Sequence, residues 1–262
     1  MKRLSNLARY TVAFAAVTLI VTPVRAEQPQ RSCAAPAEIT RLDHPLARTA
    51  KRLAGGEPIT IVAVGSSSTA GAGASSPAAS YPVRLEVELK AHFPKQPINV
   101  LNRGVNGEDA REMLARFEQS VIRENPDLVL WQVGTNSLLL DRPLSPAGER
   151  ILEGLGRLKA AGADVVLIDP QFAPKVLAKV DIENLMKLYS VVAKQANVGV
   201  FHRFAVMRHW REVANIPFSA FLSEDELHMN DWSYACIAKL LAGAIAEAAT
   251  RATLTAQASA QR

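Results

Sequence analysis

"ITIVAVGSSSTAG" (residues 59–71) joins two unlike halves. The first, Ile59 to Val64, is a continuous apolar run rich in Ile and Val, which is typical of a strand buried on both faces of a parallel sheet. The second places three consecutive serines between glycines. Ligands of open parallel sheets bind beyond the carboxyl ends of the strands, so this loop is expected to border a binding site.

The rest of the chain alternates apolar runs with helical patterns. The predicted strands are residues 59–64, 98–102, 128–133, 165–168 and 198–201. The predicted helices are residues 43–53, 79–92, 108–124, 146–161, 182–196 and 231–250. Regular alternation of this kind predicts an α/β fold, a three-layer α/β/α sandwich with a flavodoxin-like, five-stranded parallel sheet.

The ends of the chain differ from this pattern. Residues 1–26 combine basic residues, an acid-free apolar run and a small-x-small end, which predicts a cleavable signal peptide and a mature start near Glu27. The apolar run is too short for a membrane span, so we expect a periplasmic or secreted protein with no stable span after cleavage. Residues 27–55 form an N-terminal extension with a short helix, 56–250 the main domain, and 251–262 a disordered tail.

The charge and the cysteine content limit the classes of function and the cell compartments that fit this sequence. The formal charge of the 262-residue chain is +5, but four basic residues and no acid lie within residues 1–26, which leaves +1 for the remainder. No basic cluster interleaved with aromatic residues follows, so a nucleic-acid partner is not expected. Cys33 and Cys236 either form a disulfide in an oxidising compartment or remain two thiols, and the sequence leaves both open.

Four loops that follow predicted strands or precede the last helix carry unusual polar residues. They are "GSSSTAG" (65–71), "NRGVNG" (102–107), "GTNS" (134–137) and "SEDELHMND" (223–231). Ester hydrolysis needs an activated hydroxyl, a base, a group that orients the base, and donors for the developing oxyanion. Together the four loops contain candidates for each of these groups.

The ordered set of blocks resembles the SGNH (GDSL-type) hydrolase family over roughly residues 59–249. The resemblance implies a serine esterase with Ser67 as nucleophile, His228 as base and Asp225 as the third member of a triad. It also implies an oxyanion hole formed by the Ser67 N–H, the Gly104 N–H and the Asn136 amide. The other histidines, His44, His92, His202 and His209, lack an acid three residues earlier and a position ahead of the last helix.

The chain departs from the family pattern at two positions. Ser66 stands where the family usually has an aspartate before the nucleophile, and Ser137 follows Asn136 where an acid is common. Neither position belongs to the triad. We therefore expect the substitution Ser66→Asp to leave an active enzyme.

The substrate is less defined by the sequence. Leu138, Gln171, Phe172 and Trp232 are expected to line the mouth of the site, which suits a short acyl group on a carbohydrate or another polar carrier. The alternatives are an O-acyltransferase that uses the same acyl-enzyme, a lipid esterase or lysophospholipase, and a non-catalytic binding module. Dispersed histidines and two distant cysteines predict no metal site, and no cofactor is expected.

Overall fold

Five parallel strands form a single sheet. They are β1 (Ile59–Gly65), β2 (Ile98–Gly104), β3 (Leu128–Gln132), β4 (Asp164–Ile168) and β5 (Gly199–Phe201). Their order across the sheet is β2-β1-β3-β4-β5, and every pairing is parallel. The predicted α/β class and its five-stranded parallel sheet are confirmed, with strand ends shifted by one or two residues.

The computed structural model describes residues 32–260, with side chains described as far as Thr253. The predicted signal peptide, residues 1–26, lies outside the described residues. Within the described part of the chain, no helix has the length and apolar character needed to cross a membrane. Residues from Cys33 onward cluster as one unit.

Helices cover the sheet on both sides. They are α1 (Ala37–Thr40), α2 (Ala47–Gly55), α3 (Ser67–Ala70), α4 (Tyr81–His92), α5 (Ala110–Ser120), α6 (Thr135–Leu139), α7 (Leu144–Ala160), α8 (Pro174–Leu177), α9 (Ile182–Ala196), α10 (Arg203–Glu212), α11 (Phe218–Phe221) and α12 (Asp231–Ala260). In one layer α12 packs against α2 and α4, and in the other α7 packs against α5 and α9.

Local chemistry explains where several helices start and stop. The helix predicted to begin at residue 43 begins at Ala47 instead, because Pro45 disfavours helical backbone in the residue before it. The helix predicted over 108–124 is α5, which starts at the Asp109 capping box and ends at Ser120. A separate 3₁₀ turn follows it at Ile122–Glu124.

Two helical predictions need correction. The segment Arg203–Glu212 forms α10, although its mixture of charged and bulky residues had not been predicted as a helix. The last helix continues to Ala260, where a disordered tail from residue 251 was expected. The tail contains four alanines, which favour helix, and no glycine or proline that would end it.

The strand order creates a gap between the loop after β1 and the loop after β3, at the carboxyl ends of the strands. The chain crosses from β1 to β2 on one side and then returns to β3 on the other side of β1. The loops that leave β1 and β3 therefore diverge in opposite directions at their carboxyl ends, which is where open α/β sheets bind ligands. β3 is buried along its whole length and β1 at every residue except Thr60, as the apolar runs predicted.

A disulfide joins Cys33 to Cys236, with the two Cα atoms 5.2 Å apart. It ties the N-terminal extension to α12 across 203 residues of sequence. Of the two alternatives that the sequence left open, the structure therefore has the bridge. Cross-linking so long a loop restricts the unfolded chain more than the folded one.

Reduction of this bridge is expected to lower the free energy of unfolding by about 2 to 5 kcal/mol, because the unfolded chain regains the conformational freedom that the cross-link removes. Chemical denaturation with and without reductant measures the difference. A Cys33→Ser/Cys236→Ser double variant is the control, since its stability should not respond to reductant. Titration of two free thiols in the unreduced, denatured protein would contradict the prediction.

Candidate active site

Ser67 is the first residue of α3, the single helical turn that follows β1. The strand ends at Gly65, Ser66 caps the turn with extended backbone, and Ser67 is half-buried at the carboxyl edge of the sheet. The Ser66 carbonyl accepts the N–H groups of Thr69 and Ala70, which closes the turn. Ser67 thus follows β1 directly, next to the point where the strand order reverses.

Gln132, the last residue of β3, holds this turn in place. Its side chain is 1% exposed, and its Oε1 accepts the Ser66 N–H at 2.9 Å, the Ser66 hydroxyl at 3.0 Å and the Thr69 hydroxyl at 3.4 Å. Its Nε2 donates to Thr135 Oγ1 at the start of α6, at 3.5 Å. Sequence reasoning missed Gln132; a polar residue at the end of an otherwise apolar strand is the signal that could have found it.

Asp225 and His228 lie in the loop before α12, and this loop is folded around the Asp225 carboxylate. Oδ1 accepts the Ser223 hydroxyl at 2.7 Å and the backbone N–H groups of Leu227 and His228 at 3.0 and 2.9 Å. Oδ2 lies 2.5 Å from His228 Nδ1. The carboxylate therefore organises the loop and orients the imidazole with the same group.

The second nitrogen of His228 faces Ser67. His228 Nε2 lies 2.8 Å from Ser67 Oγ, so one unbroken hydrogen-bonded chain connects Ser67, His228 and Asp225. The three residues come from two segments 161 positions apart. The structure thus brings together the three side chains that the resemblance predicted to form a triad.

Asp225 remains ionised in this arrangement. Partial burial would raise the pKa of its carboxyl, but the hydrogen bonds from the His228 ring, the His228 N–H, Ser223 and Leu227 outweigh it and hold the pKa well below its usual value. An ionised carboxylate keeps the Nδ1 proton of His228 in place. Nε2 is then the nitrogen with a free lone pair toward Ser67.

A second set of contacts joins the loop after α3 to the loop that carries His228. Asp231 accepts the Ser75 N–H at 2.7 Å and the Ser75 hydroxyl at 2.5 Å. Tyr234 donates its hydroxyl to the Ala72 carbonyl at 2.7 Å. These contacts fix the serine-bearing segment relative to the start of α12.

Asn136 lies in α6, directly after β3, as predicted. Its Nδ2 donates one hydrogen to the Glu108 carbonyl at 2.8 Å. An amide nitrogen carries two hydrogens, so this contact fixes the plane of the side chain and leaves the second hydrogen for another acceptor. Asn136 is half-buried at the same edge of the sheet as Ser67.

The N–H of Gly104, which was predicted to be an oxyanion donor, already has an acceptor within the chain. This N–H donates to Asn102 Oδ1 at 2.9 Å, and a Cβ at this position would lie 2.1 Å from the Ala70 nitrogen. The glycine is needed because the end of β2 packs directly on α3, and its N–H is already satisfied. Gly107, exposed at φ +81° beside Glu108, is the glycine of this block that lies next to the Asn136 contact.

Of the four residues predicted to line the mouth of the site, three are buried, and the fourth, Trp232, is half-buried. Leu138 is buried in the core, and Phe172 is buried between the rings of Phe204 and Phe218. Gln171 is buried and bonded to Arg203 and to the Leu227 carbonyl. Trp232 packs against Trp210, with ring centroids 5.0 Å apart. The burial of Leu138, Gln171 and Phe172 argues against a lining role for them, because hydropathy alone does not distinguish a pocket wall from the core, whereas the role of Trp232 stays a prediction.

A second aspartate and histidine pair lies at the ends of β4 and β5. His202 Nδ1 is 3.3 Å from Asp169 Oδ2, and Asp169 Oδ1 accepts the Phe204 N–H at the start of α10. The hydrogen bond that the His202 ring makes to the Asp169 carboxylate raises the pKa of His202. Among the described residues this ring bonds to no serine, and no three His, Cys, Asp or Glu side chains are grouped to hold a metal ion.

The five-stranded parallel sheet, with a serine, a histidine and an aspartate bonded in series where its strand order reverses, is typical of the flavodoxin-like SGNH hydrolase fold. Residues 32–251 match the non-GDSL lipase-like family, and the chain belongs to this family. The predicted SGNH relationship is confirmed. The block Gly65-Ser66-Ser67-Ser68 accordingly lacks the aspartate of the GDSL pattern.

Individual relatives are more distant. An acetylxylan esterase of Geobacillus stearothermophilus is 38% identical over 50 residues, 19% of this chain and 23% of that protein. An arylesterase of Vibrio mimicus is 30% identical over 95 residues, 36% of this chain and 46% of that one. The chain thus spans less than half the length of these curated relatives. A two-domain esterase active on acetylated mannans shares the fold, with a TM-score of 0.66 and 21% identity over 80% of this chain and 56% of that one.

The position of Gln132 changes the expectation for Ser66→Asp. An aspartate at this buried position would place a carboxylate against Gln132 Oε1, which is also an acceptor. The contact becomes favourable only if the amide rotates, and the Ser66 N–H then loses its acceptor. We therefore expect this substitution to destabilise the turn rather than to be neutral.

Gln132→Leu is expected to lower the free energy of unfolding by about 2 to 4 kcal/mol, because it leaves the buried donors of Ser66 and Thr69 without an acceptor. Urea denaturation measures the change. Gln195→Leu, an exposed glutamine on α9, is the matched control and should stay within about 0.5 kcal/mol of the wild type. Equal stabilities of the two variants would show that Gln132 does not hold the turn.

Proposed function

We propose that this protein is an exported serine esterase that hydrolyses an oxygen ester through Ser67, His228 and Asp225. The observation that carries the proposal is the unbroken hydrogen-bonded chain from Ser67 Oγ to His228 and on to Asp225, with distances of 2.8 and 2.5 Å. A hydroxyl next to an oriented neutral imidazole is the arrangement that activates a serine nucleophile.

Acylation proceeds in two proton transfers. His228 Nε2 takes the proton of Ser67 Oγ while Oγ bonds to the carbonyl carbon of the ester, and the carbonyl electron pair moves onto its oxygen. As the tetrahedral intermediate collapses, the bond to the leaving oxygen breaks, and the imidazolium returns the proton to it. The free alcohol departs and the acyl group stays on Ser67.

Deacylation repeats these steps with water. His228 removes a proton from water, the hydroxide oxygen bonds to the acyl carbon, and the proton passes to Ser67 Oγ as the carboxylic acid leaves. Asp225 stays ionised throughout and stabilises the imidazolium in both halves. Its lowered pKa suits this role, because a carboxyl that took up a proton would stop orienting the ring.

The oxyanion of each tetrahedral intermediate needs hydrogen-bond donors. We assign this role to the Ser67 N–H, to the second hydrogen of Asn136 Nδ2, and to the Gly107 N–H in place of Gly104. Two observations support the assignment: one Asn136 hydrogen is held by the Glu108 carbonyl, and Gly107 directly precedes that residue. Donors fixed in advance stabilise charge without reorganisation.

The substrate we propose is a short acyl group on a carbohydrate or a similar polar carrier. Two relatives carry names that refer to acetylated polysaccharides, an acetylxylan esterase and an esterase active on acetylated mannans. Leu138 and Phe172, expected at the mouth of the site, are buried in core packing instead, so they offer little surface to a long acyl chain. A 650 Å³ cavity with a mostly apolar lining lies at the other ends of the strands, away from Ser67, and is lined by residues that include Leu53, Phe93 and Ala249. It is therefore not an acyl pocket of the Ser67 site.

Export belongs to the same proposal. The signal-like residues 1–26 motivate it, and the disulfide between Cys33 and Cys236 supports it, because such bridges persist in oxidising compartments. We place the protein in the periplasm or the medium.

Ser67→Ala is expected to lower ester turnover on the order of 10⁶-fold without loss of fold, because the nucleophile is removed. A fluorophosphonate probe should label the wild type at Ser67 and fail to label the variant. Ser68→Ala is the neighbouring control and should keep measurable turnover. Labelling at Ser66 or Ser68, or undiminished labelling of Ser67→Ala, would move the nucleophile elsewhere.

With 4-nitrophenyl esters, kcat/KM is expected to fall as the acyl chain lengthens from acetyl to octanoyl, because a site that accepts a short acyl group gains nothing from added methylenes. Acetate release from acetylated xylo- and manno-oligosaccharides should accompany this profile. A rise with chain length would favour a lipid esterase. Product that forms only when a sugar acceptor is added would indicate an O-acyltransferase, and neither turnover nor labelling would indicate a binding module.

A further inference from the structure

Arg116 reaches from the middle of α5 to the carboxyl ends of two strands. Its Nη2 donates to the Arg103 carbonyl on β2 at 2.9 Å and approaches the Gly65 carbonyl at the end of β1 at 3.5 Å. The same guanidinium holds both carboxylate oxygens of Glu108, with Nε at 2.9 and 2.8 Å and Nη2 at 2.6 Å. One side chain thus joins two strand ends to the loop before α5.

The spacing of residues along a helix explains how Arg116 reaches Glu108. Arg116 lies eight residues after Glu108, which is about two helical turns, so its side chain points back along α5 toward the segment that precedes the helix. Asp109 caps α5, and its capping box fixes the chain direction at the next residue along. The position of Glu108 is therefore determined by α5 and by Arg116 together.

The pair is shielded from water. The side chains of Arg116 and Glu108 are 19% and 13% exposed, whereas those of Arg111 and Glu112, a neighbouring pair on α5, are 68% and 37% exposed. Bidentate contacts between a guanidinium and a carboxylate fix orientation as well as distance, and shielding strengthens them. Exposed pairs contribute little. The same helix thus offers one rigid ion pair and one solvated pair for comparison.

Glu108 in turn contacts Asn136. Its backbone carbonyl accepts the Asn136 Nδ2 hydrogen at 2.8 Å. The plane and position of the Asn136 amide therefore depend on where the backbone of residue 108 lies. A shift of that carbonyl would move the second amide hydrogen, the one assigned to the oxyanion.

We infer that Arg116 and Glu108 are positioning residues for the oxyanion hole, which they align through the Glu108 carbonyl and the Asn136 amide. This inference rests on the proposed esterase function. Neither side chain exchanges a proton or forms a bond in the reaction. Their effect lies on the transition state, because the oxyanion exists only there, and a displacement of about 1 Å in such a donor costs up to about 100-fold in rate.

The test is a double-variant cycle on ester turnover. Arg116→Gln should lower kcat by about 10- to 100-fold with KM changed less than about threefold, because ground-state binding does not use the oxyanion donors. Asn136→Ala should lower kcat by about 100- to 1000-fold. In the Asn136→Ala background, Arg116→Gln should have little further effect, since the group it positions is gone. Arg111→Gln is the matched control and should match the wild type.

Several outcomes overturn the inference. A kcat for Arg116→Gln equal to that of the wild type, an effect confined to KM, or losses that multiply in the double variant would each show that Arg116 does not act through Asn136. If Arg116→Gln fails to fold, Arg116→Lys replaces it, because lysine keeps the charge and loses the bidentate contact. Its kcat is expected to fall in the same range, and an unchanged kcat would again overturn the inference.

A crystal structure of Arg116→Gln supplies a readout that does not depend on activity. The Glu108 carbonyl is expected to move away from Asn136 Nδ2, and an unchanged 2.8 Å contact would overturn the inference. A wild type without turnover and without Ser67 labelling would instead overturn the proposed function, and the crystal structure would still decide whether Arg116 sets the Asn136 geometry.

Discussion

The side-chain amide of Gln132 is the contact on which the geometry around Ser67 depends. Its one oxygen accepts three hydrogens from Ser66 and Thr69, and its nitrogen faces Thr135 at the start of α6. It therefore links the turn after β1 to the turn after β3, the two loops that diverge where the strand order reverses. A neutral acceptor suits this place, because a buried carboxylate would need a paired charge.

Ser67 is held from the opposite side by the start of α12. Asp231 binds the Ser75 backbone and hydroxyl, and Tyr234 binds the Ala72 carbonyl. The position of the segment after α3 is therefore fixed by its contacts with the start of α12. The disulfide at Cys236 anchors the same helix one turn further along. The distance between Ser67 and His228 is thus set by contacts between segments more than 150 residues apart.

The sequence predicted what short-range patterns encode. Buried strands are recognisable as apolar runs. Ser67 and Asn136 come shortly after predicted strands, and Asp225 and His228 come shortly before the last predicted helix. What it missed depends on distant partners. The position of Gln132 at the end of an apolar strand marks it as unusual, but its role depends on a turn 66 residues earlier. Leu138 resembles a pocket wall until its neighbours in the core are known. The roles of Gly104 and Gly107, which lie in the same short loop, can be distinguished only by the contacts that each backbone makes.

Burying a charged side chain costs free energy, and most groups buried around the site are neutral. The groups directly beneath Ser67 are neutral, whereas Asp225 keeps part of its carboxylate in water. Arg203 and Asp169 are exceptions, since both are fully buried, and Arg203 donates to the Asp169 carbonyl and to Gln171. Gln171 then donates to the Leu227 carbonyl inside the loop that carries His228. Because that loop is otherwise organised by an exposed carboxylate, the contact from the buried Gln171 gives it a support that comes from the core of the protein rather than from the loop itself.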